Sequence, residues 1–114
     1  MVGFTYGYTS LPQQFYRQKI EQQLSVDERN TWLGHCFEFV ELAVDSSYKR
    51  QGIGGQLHNE LLSNLTHQTS ILTTHIDNLP AINLYKQKGW DMIKTNAPII
   101  TADHLQVIMG KRLN

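Results

Sequence analysis

Residues 41–62 carry the densest run of chemically telling residue types. Glu41-Leu42-Ala43-Val44-Asp45 is an apolar run ending in an acid, Ser46-Ser47-Tyr48 turns it, and Lys49-Arg50-Gln51-Gly52-Ile53-Gly54-Gly55 follows. Ile53, Leu57, Leu61 and Leu65 then recur at every fourth residue, which predicts a helix over 51–66 that opens on the glycines. The first N–H groups of a helix lack internal partners and carry the positive end of its dipole. Glycines there let phosphate oxygens approach the backbone closely, and Lys49 and Arg50 add positive charge beside them. The chemistry implied is the seating of a pyrophosphate. The plainer reading is a tight strand-to-helix turn. Two common nucleotide motifs fail: the dinucleotide fingerprint needs glycine at Leu57, and the P-loop needs Gly-Lys-Ser/Thr at Gly55-Gln56-Leu57.

Three further side chains could move protons. Glu38 and Glu41 interrupt the apolar stretch His35–Asp45, which reads as a central strand with apolar residues on both parities. A carboxylate held in such a strand is costly unless paired, and burial raises its pKa. It is either a structural glutamate or a general base. In a regular strand the two glutamates lie on opposite faces, so at most one faces a substrate unless a bulge shifts the alternation. Tyr85, on a helix expected after Pro80, is a proton donor or a core aromatic. The five histidines show no metal-ligand spacing and Cys36 has no second cysteine, so no metal site is expected.

Two segments carry a family resemblance. Lys49-Arg50-Gln51-Gly52-Ile53-Gly54 resembles the Arg/Gln-x-x-Gly-x-Gly/Ala signature of the GNAT superfamily of N-acetyltransferases, with Lys at the first place. Asn78-Leu79-Pro80-Ala81-Ile82-Asn83-Leu84-Tyr85-Lys86-Gln87-Lys88-Gly89-Trp90 resembles that family's Asn-x-x-Ala-x-x-Leu-Tyr-x-x-x-Gly-Phe segment, with Trp for Phe. The motifs and their connecting strands span residues 35–113, in the family's order. The resemblance implies acetyl-CoA as acyl donor and no metal. Backbone N–H groups of Gln51, Gly52, Ile53, Gly54 and Gly55 would hold its pyrophosphate, with Lys49 and Arg50 nearby. Leu42, Ala43 and Val44 would pair with its pantetheine arm, and Asn78 would bond the arm. It further implies Tyr85 as donor to the leaving sulfur and Glu41 or Glu38 as base for the amine.

The elements that must position these groups follow from patterning. Val2–Thr9 alternates large apolar with small or polar residues, a strand with one buried face. Leu11-Pro12 ends it; a helix over 13–24 follows, and Ser25-Val26-Asp27-Glu28 is a capping box starting another. Compared with the family, 12–34 reads as a helical insertion, either a flap carrying Phe15, Tyr16 and Trp32 or a packing element. Strands are expected over 70–77, 90–95 and 104–112. The fold class expected is α+β: a mixed, mostly antiparallel GNAT-like sheet with flanking helices, lacking the family's usual N-terminal strand and helices. The chain reads as a single domain over 1–114, a shortened member or a fragment.

Ten basic residues balance ten acidic ones, which removes the field that nucleic-acid or anionic-membrane binding needs. One cysteine fits a reducing cytoplasm. The expected function is transfer of an acetyl group to a primary amine of a small molecule or peptide. The alternative is a CoA-binding module or sensor without catalysis, or a fragment needing a partner chain. The N-terminal strand, lacking its family neighbour, is expected to leave an edge that either the 12–34 insertion folds over or two copies share as a homodimer, the dimer being the favoured outcome.

Overall fold

The computed structural model describes residues 3–45 and 52–113. Strand β1 (Gly3–Thr9) leads to helices α1 (Phe15–Glu21) and α2 (Val26–Trp32), then to β2 (Cys36–Val44) and α3 (Ile53–Leu62). Strand β3 (Thr69–His75), helix α4 (Leu79–Gln87) and strands β4 (Asp91–Ala97) and β5 (Gln106–Arg112) complete the chain. The strands form one five-stranded sheet in the order β1-β2-β3-β5-β4. Only β2 and β3 run parallel; β1–β2, β3–β5 and β4–β5 are antiparallel. This is the mixed α+β architecture the sequence predicts.

Helix boundaries are shorter than periodicity suggests. The 13–24 helix forms over Phe15–Glu21, and the 51–66 helix stops at Leu62, leaving Leu65 outside. The capping box forms as read: Ser25 Oγ accepts from the Glu28 N–H at 3.1 Å while Glu28 Oε1 accepts from the Ser25 N–H at 2.8 Å. Such a cap is worth about 1 kcal/mol. Gly52 opens α3 with φ +78°, a left-handed conformation that other residues resist. Gly89 (φ 91°) closes the turn after α4 in the same region.

One irregularity reorganises the centre of the sheet. Gly7 pairs with Phe39 but Tyr6 pairs with Glu41, so Val40 is an extra residue in β2. Because side chains alternate, this bulge inverts the faces on its far side. Phe37, Phe39, Leu42 and Val44 therefore share one face, and Glu38, Glu41 and Ala43 share the other with Tyr8, Tyr6 and Phe4. The two glutamates, expected on opposite faces of a regular strand, come to lie on the same one. Burial on both faces holds for Cys36–Phe39, and β2 is exposed or half-buried beyond them. In β1 the inward positions are Gly3, Thr5 and Gly7 rather than the aromatics. A Cβ at Gly7 would sit 2.5 Å from the Phe37 ring, so only glycine makes room for that ring. The large residues turn out: Phe4 is 41% and Tyr6 47% exposed.

Each face of the sheet carries its own core. Ile20, Leu24 and Leu33 pack with Cys36, Ile71 and Ile108 under α1 and α2. On the opposite face Phe39, Leu72, Val107 and Met109 pack with Ile82, Tyr85 and Trp90. Full burial of each such side chain contributes about 1.5–3 kcal/mol. The 12–34 segment thus packs on the sheet. Trp32 is buried, whereas Phe15 stays exposed, and Tyr16 alone of the three aromatics reaches a cavity.

The site arises where the sheet comes apart. Strands β2 and β3 pair at three positions only, from Cys36–Thr69 to Glu38–Ile71. Yet β2 continues to Val44 and β3 to His75. Beyond the Val40 bulge the two diverge, leaving a wedge in the middle of the sheet.

Candidate active site

The larger cavity, about 630 Å³, lies at this wedge between β2, the start of α3 and α4. Leu42, Ala43 and Val44 form one wall, Gly52, Ile53 and Gly54 another, and Asn78, Ala81, Leu84 and Tyr85 the third. Eight residues chosen from sequence for donor binding (Leu42, Ala43, Val44, Gly52, Ile53, Gly54, Asn78, Tyr85) are brought together here. A Cβ at Gly54 would lie 3.5 Å from Leu42 Cδ2 and 3.7 Å from Leu84 Cδ2, so the absent side chain keeps this groove open. Gly55 is not part of the lining; a Cβ there would meet Lys88 Nζ at 3.2 Å. Lys49, Arg50 and Gln51 lie outside the described residues. Asn78 occupies the N-cap position of α4 and donates from Nδ2 to Thr74 Oγ1 at 3.3 Å.

Tyr85 is both a core aromatic and a lining residue. Its ring packs edge-on against Phe39 at 5.7 Å and Trp90 at 5.8 Å. Burial pushes its hydroxyl up to a pKa of about 12, so it stays protonated and able to donate at neutral pH. Behind it, the buried His58 accepts a hydrogen bond on Nε2 from Trp90 Nε1–H at 2.8 Å. That bond requires Nε2 to lack a proton, and Nδ1–H then donates to Asn59 Oδ1 at 2.9 Å. Burial also lowers the His58 pKa, in agreement with a neutral ring. His58 thereby ties α3 to Trp90, the residue just before β4.

A second cavity, about 380 Å³, is lined by Tyr8, Tyr16, Glu38, Phe39, Val40, Thr73 and Gln106. Glu38 is 4% exposed. Its Oε2 accepts from the Tyr8 hydroxyl at 3.0 Å, while Oε1 has no hydrogen-bond partner among the described residues. Burial raises the Glu38 pKa, with the Tyr8 hydrogen bond and the Arg17 charge opposing. The same burial, with the Glu38 charge, pushes Tyr8 up to about 12, so Tyr8 remains the donor. Tyr16 Oη lies 2.7 Å from Thr73 Oγ1 and donates to Gln106 Oε1 at 3.2 Å. Glu41 is exposed opposite Tyr6 and outside this cavity. Of the two glutamates, only Glu38 lines this cavity.

Of these lining residues, sequence reasoning offered Tyr16 as part of a flap and missed Tyr8, Thr73 and Gln106, which come from three different strands and share no local motif. His58 was passed over with the other histidines. Its position between Leu57 and Leu61 on the helix was the one available signal. Among the described residues there is no group of three or more His, Cys, Asp or Glu placed to hold a metal. Nor is any helix there long and apolar enough to cross a membrane.

A strand leading to a glycine-opened helix, a wedge between two parallel strands and a helix bearing a lining tyrosine together define an acyltransferase scaffold. The chain belongs to the acetyltransferase (GNAT) family, whose sequence profile matches residues 13–90. No curated protein matches it. Among solved structures it is similar to Ard1 from Thermoplasma volcanium (TM-score 0.70, 20% identity), over 99% of this chain and 64% of that one. It is also similar to the ribosomal-protein-S18-alanine N-acetyltransferase from Escherichia coli (TM-score 0.58, 28% identity), over 69% of this chain and 55% of that one. A third similar structure is Arabidopsis thaliana Naa50 with the bisubstrate analogue CoA-Ac-MVNAL (TM-score 0.57, 25% identity), over 67% of this chain and 54% of that one. The chain therefore spans between about half and two thirds of the length of these relatives.

Proposed function

We propose that this protein transfers an acetyl group from acetyl-CoA directly to a primary amine of a small molecule or peptide. The observation that carries the reading is that β2 borders two cavities, with Leu42–Val44 on one and Glu38–Val40 on the other. One is lined by a protonated tyrosine, Tyr85, and the other by a buried carboxylate with an open oxygen, Glu38. The residues present fit the donor: a glycine-lined groove beside a helix start suits a phosphate-bearing chain, and the free side of Leu42–Val44 suits its amide-containing arm. Acetyl-CoA supplies the activated thioester. Glu38 takes a proton from the ammonium form of the amine, directly or through water, and frees the lone pair that attacks the carbonyl carbon. The N–C bond forms as the C–S bond breaks; Tyr85 Oη–H donates to the departing sulfur, the acylated nitrogen releases its second proton to solvent, and solvent reprotonates Tyr85. Backbone N–H groups at the start of α3 steady the negative charge on the carbonyl oxygen. Glu41 is the alternative base. A cytoplasmic setting suits Cys36, a free buried thiol. Two copies pairing along the open edge of β1 belong to the same reading.

Calorimetry with acetyl-CoA, followed by thiol-release assays over a panel of primary amines, tests this. Expected are saturable binding and thiol release that depends on amine. Tyr85→Phe should bind acetyl-CoA nearly as well as wild type but transfer more slowly. Binding with no thiol release across the panel would leave the alternative, a CoA-binding module without catalysis.

A further inference from the structure

Tyr8 stands directly opposite Glu38 in the antiparallel pairing of β1 and β2, in the regular stretch that ends at the Gly7–Phe39 pair. Its hydroxyl donates to Glu38 Oε2 at 3.0 Å. Oε1 of the same carboxylate is buried and has no hydrogen-bond partner among the described residues. The bond therefore distinguishes two otherwise equivalent oxygens: one is committed and the other is left to accept. Tyr8 is a dependable donor, because burial and the Glu38 charge push its hydroxyl up to about 12.

The segment between β1 and β2 holds this pair in register. The Ser10 N–H donates to the Cys36 carbonyl at 2.8 Å, which continues the pairing of β1 with β2 past Thr9. Arg17, buried on α1, donates to the Ser10 carbonyl at 2.9 Å and to the Leu33 carbonyl at 2.8 Å. One guanidinium thus clamps both ends of the segment, two residues after Tyr8 and three before β2. Its charge also acts on Glu38, in the same sense as the Tyr8 bond and against burial. The other groups around the carboxylate come from three elements. Tyr16 on α1 is titratable, and Thr73 on β3 and Gln106 on β5 are not. Cys36, two residues along β2, is a buried thiol pushed up to about 11.

We propose that Tyr8 is a positioning residue for the transfer reaction: by holding Glu38 Oε2 it leaves Oε1 as the oxygen that meets the amine. This rests on the transfer reading above, in which Glu38 is the base. Tyr8 acts through Glu38 and exchanges no proton itself. A hydrogen bond to the charged form of an acid favours that form, so a protein lacking this one has a base that ionises only at higher pH.

Tyr8→Phe removes the hydroxyl and keeps the ring. The test follows kcat/KM against pH for wild type, Tyr8→Phe and Tyr6→Phe, using the primary amine that gives the fastest thiol release. The amine's own titration is common to all three proteins. The acidic limb of Tyr8→Phe should move up by about 1 pH unit and its plateau should fall by about 10-fold, with KM for acetyl-CoA unchanged. Tyr6→Phe removes the next hydroxyl on the same face of β1 and should leave the limb in place. A limb that stays put in Tyr8→Phe, even with a lower rate, would overturn the proposal.

A second measurement needs no turnover. Melting temperature is followed against pH for wild type and Tyr8→Phe, each with and without Glu38→Gln. The loss caused by Tyr8→Phe should grow as pH rises through the Glu38 titration, because the missing bond favours the carboxylate. With Glu38→Gln present, that loss should be the same at every pH. A loss independent of pH in both backgrounds would overturn the proposal. The expected melting pattern in a protein that acetylates no amine would sustain the Tyr8–Glu38 pair and overturn the transfer reading instead, so the two failures are distinct.

Discussion

Glu38 is the residue on which chemistry and stability pull in opposite directions. Burial raises its pKa, so its carboxylate form is lost at a higher pH than for an ordinary glutamate. As a base it must be ionised, and the rate should fall as pH drops through that raised value. Glu38→Gln should lower the rate by about 100-fold or more near neutral pH and remove this limb of the profile. Stability has the opposite sign. With the folded pKa above the unfolded one, the folded state binds more protons between the two, so stability declines as pH rises through that window. Above it, Glu38→Gln should raise the melting temperature relative to wild type while removing activity. A variant with full activity and an unchanged pH profile would exclude Glu38 as the base. Tyr8 shapes the same residue by donating to one carboxylate oxygen and leaving the other open.

At the scale of elements, two departures from regularity make the site. The Val40 bulge brings Glu38 and Glu41 to one face and ends the pairing of β2 with β3. The start of α3 then occupies the space the wedge leaves, with Gly54 facing Leu42, Val44 and Leu84 at ordinary contact distances. A first side-chain carbon is therefore tolerated there, and larger branches project into the groove. Gly54→Val should keep a wild-type melting profile yet weaken acetyl-CoA binding by about 10-fold or more, measured by calorimetry. Unchanged affinity would show that the donor does not pass this point. The same argument explains why α4 carries its apolar residues as it does: Ile82 and Tyr85 anchor it on the sheet, while Ala81 and Leu84 line the cavity.

For the whole molecule the open question of assembly centres on β1. It is an edge strand, and α1 and α2 pack on the sheet's face rather than along that edge. An edge with free backbone groups invites pairing with another chain, and a two-fold dimer is the simplest closed outcome. Sedimentation across a micromolar concentration series should show a shift from one to two copies as concentration rises. A single monomeric species throughout, with slow amide exchange in β1, would mean that the edge is protected within one chain.

The sequence by itself determined the order of elements, the capping box at Ser25, the glycine-opened helix and the family. These depend on neighbours in the chain: hydrophobic period, cap chemistry and motif spacing. It also named most of the lining of the larger cavity, because the glycine motif and the Asn78–Trp90 segment each carry their lining residues locally. Only the tertiary structure decided which glutamate faces a cavity. The bulge is set by how β2 registers against β1, with Gly7 opposite Phe39 and Tyr6 opposite Glu41, and no local pattern within 36–44 encodes it. The rest of the second cavity was hidden for the same reason: Tyr8, Thr73 and Gln106 come from strands far apart in the chain, and only Tyr16 was offered, as part of a flap. The outward turn of Phe4 and Tyr6 was hidden too. Alternation fixes which residues share a face, but the Phe37 ring leaves room only for glycine at position 7, and that depends on how β1 sits against β2.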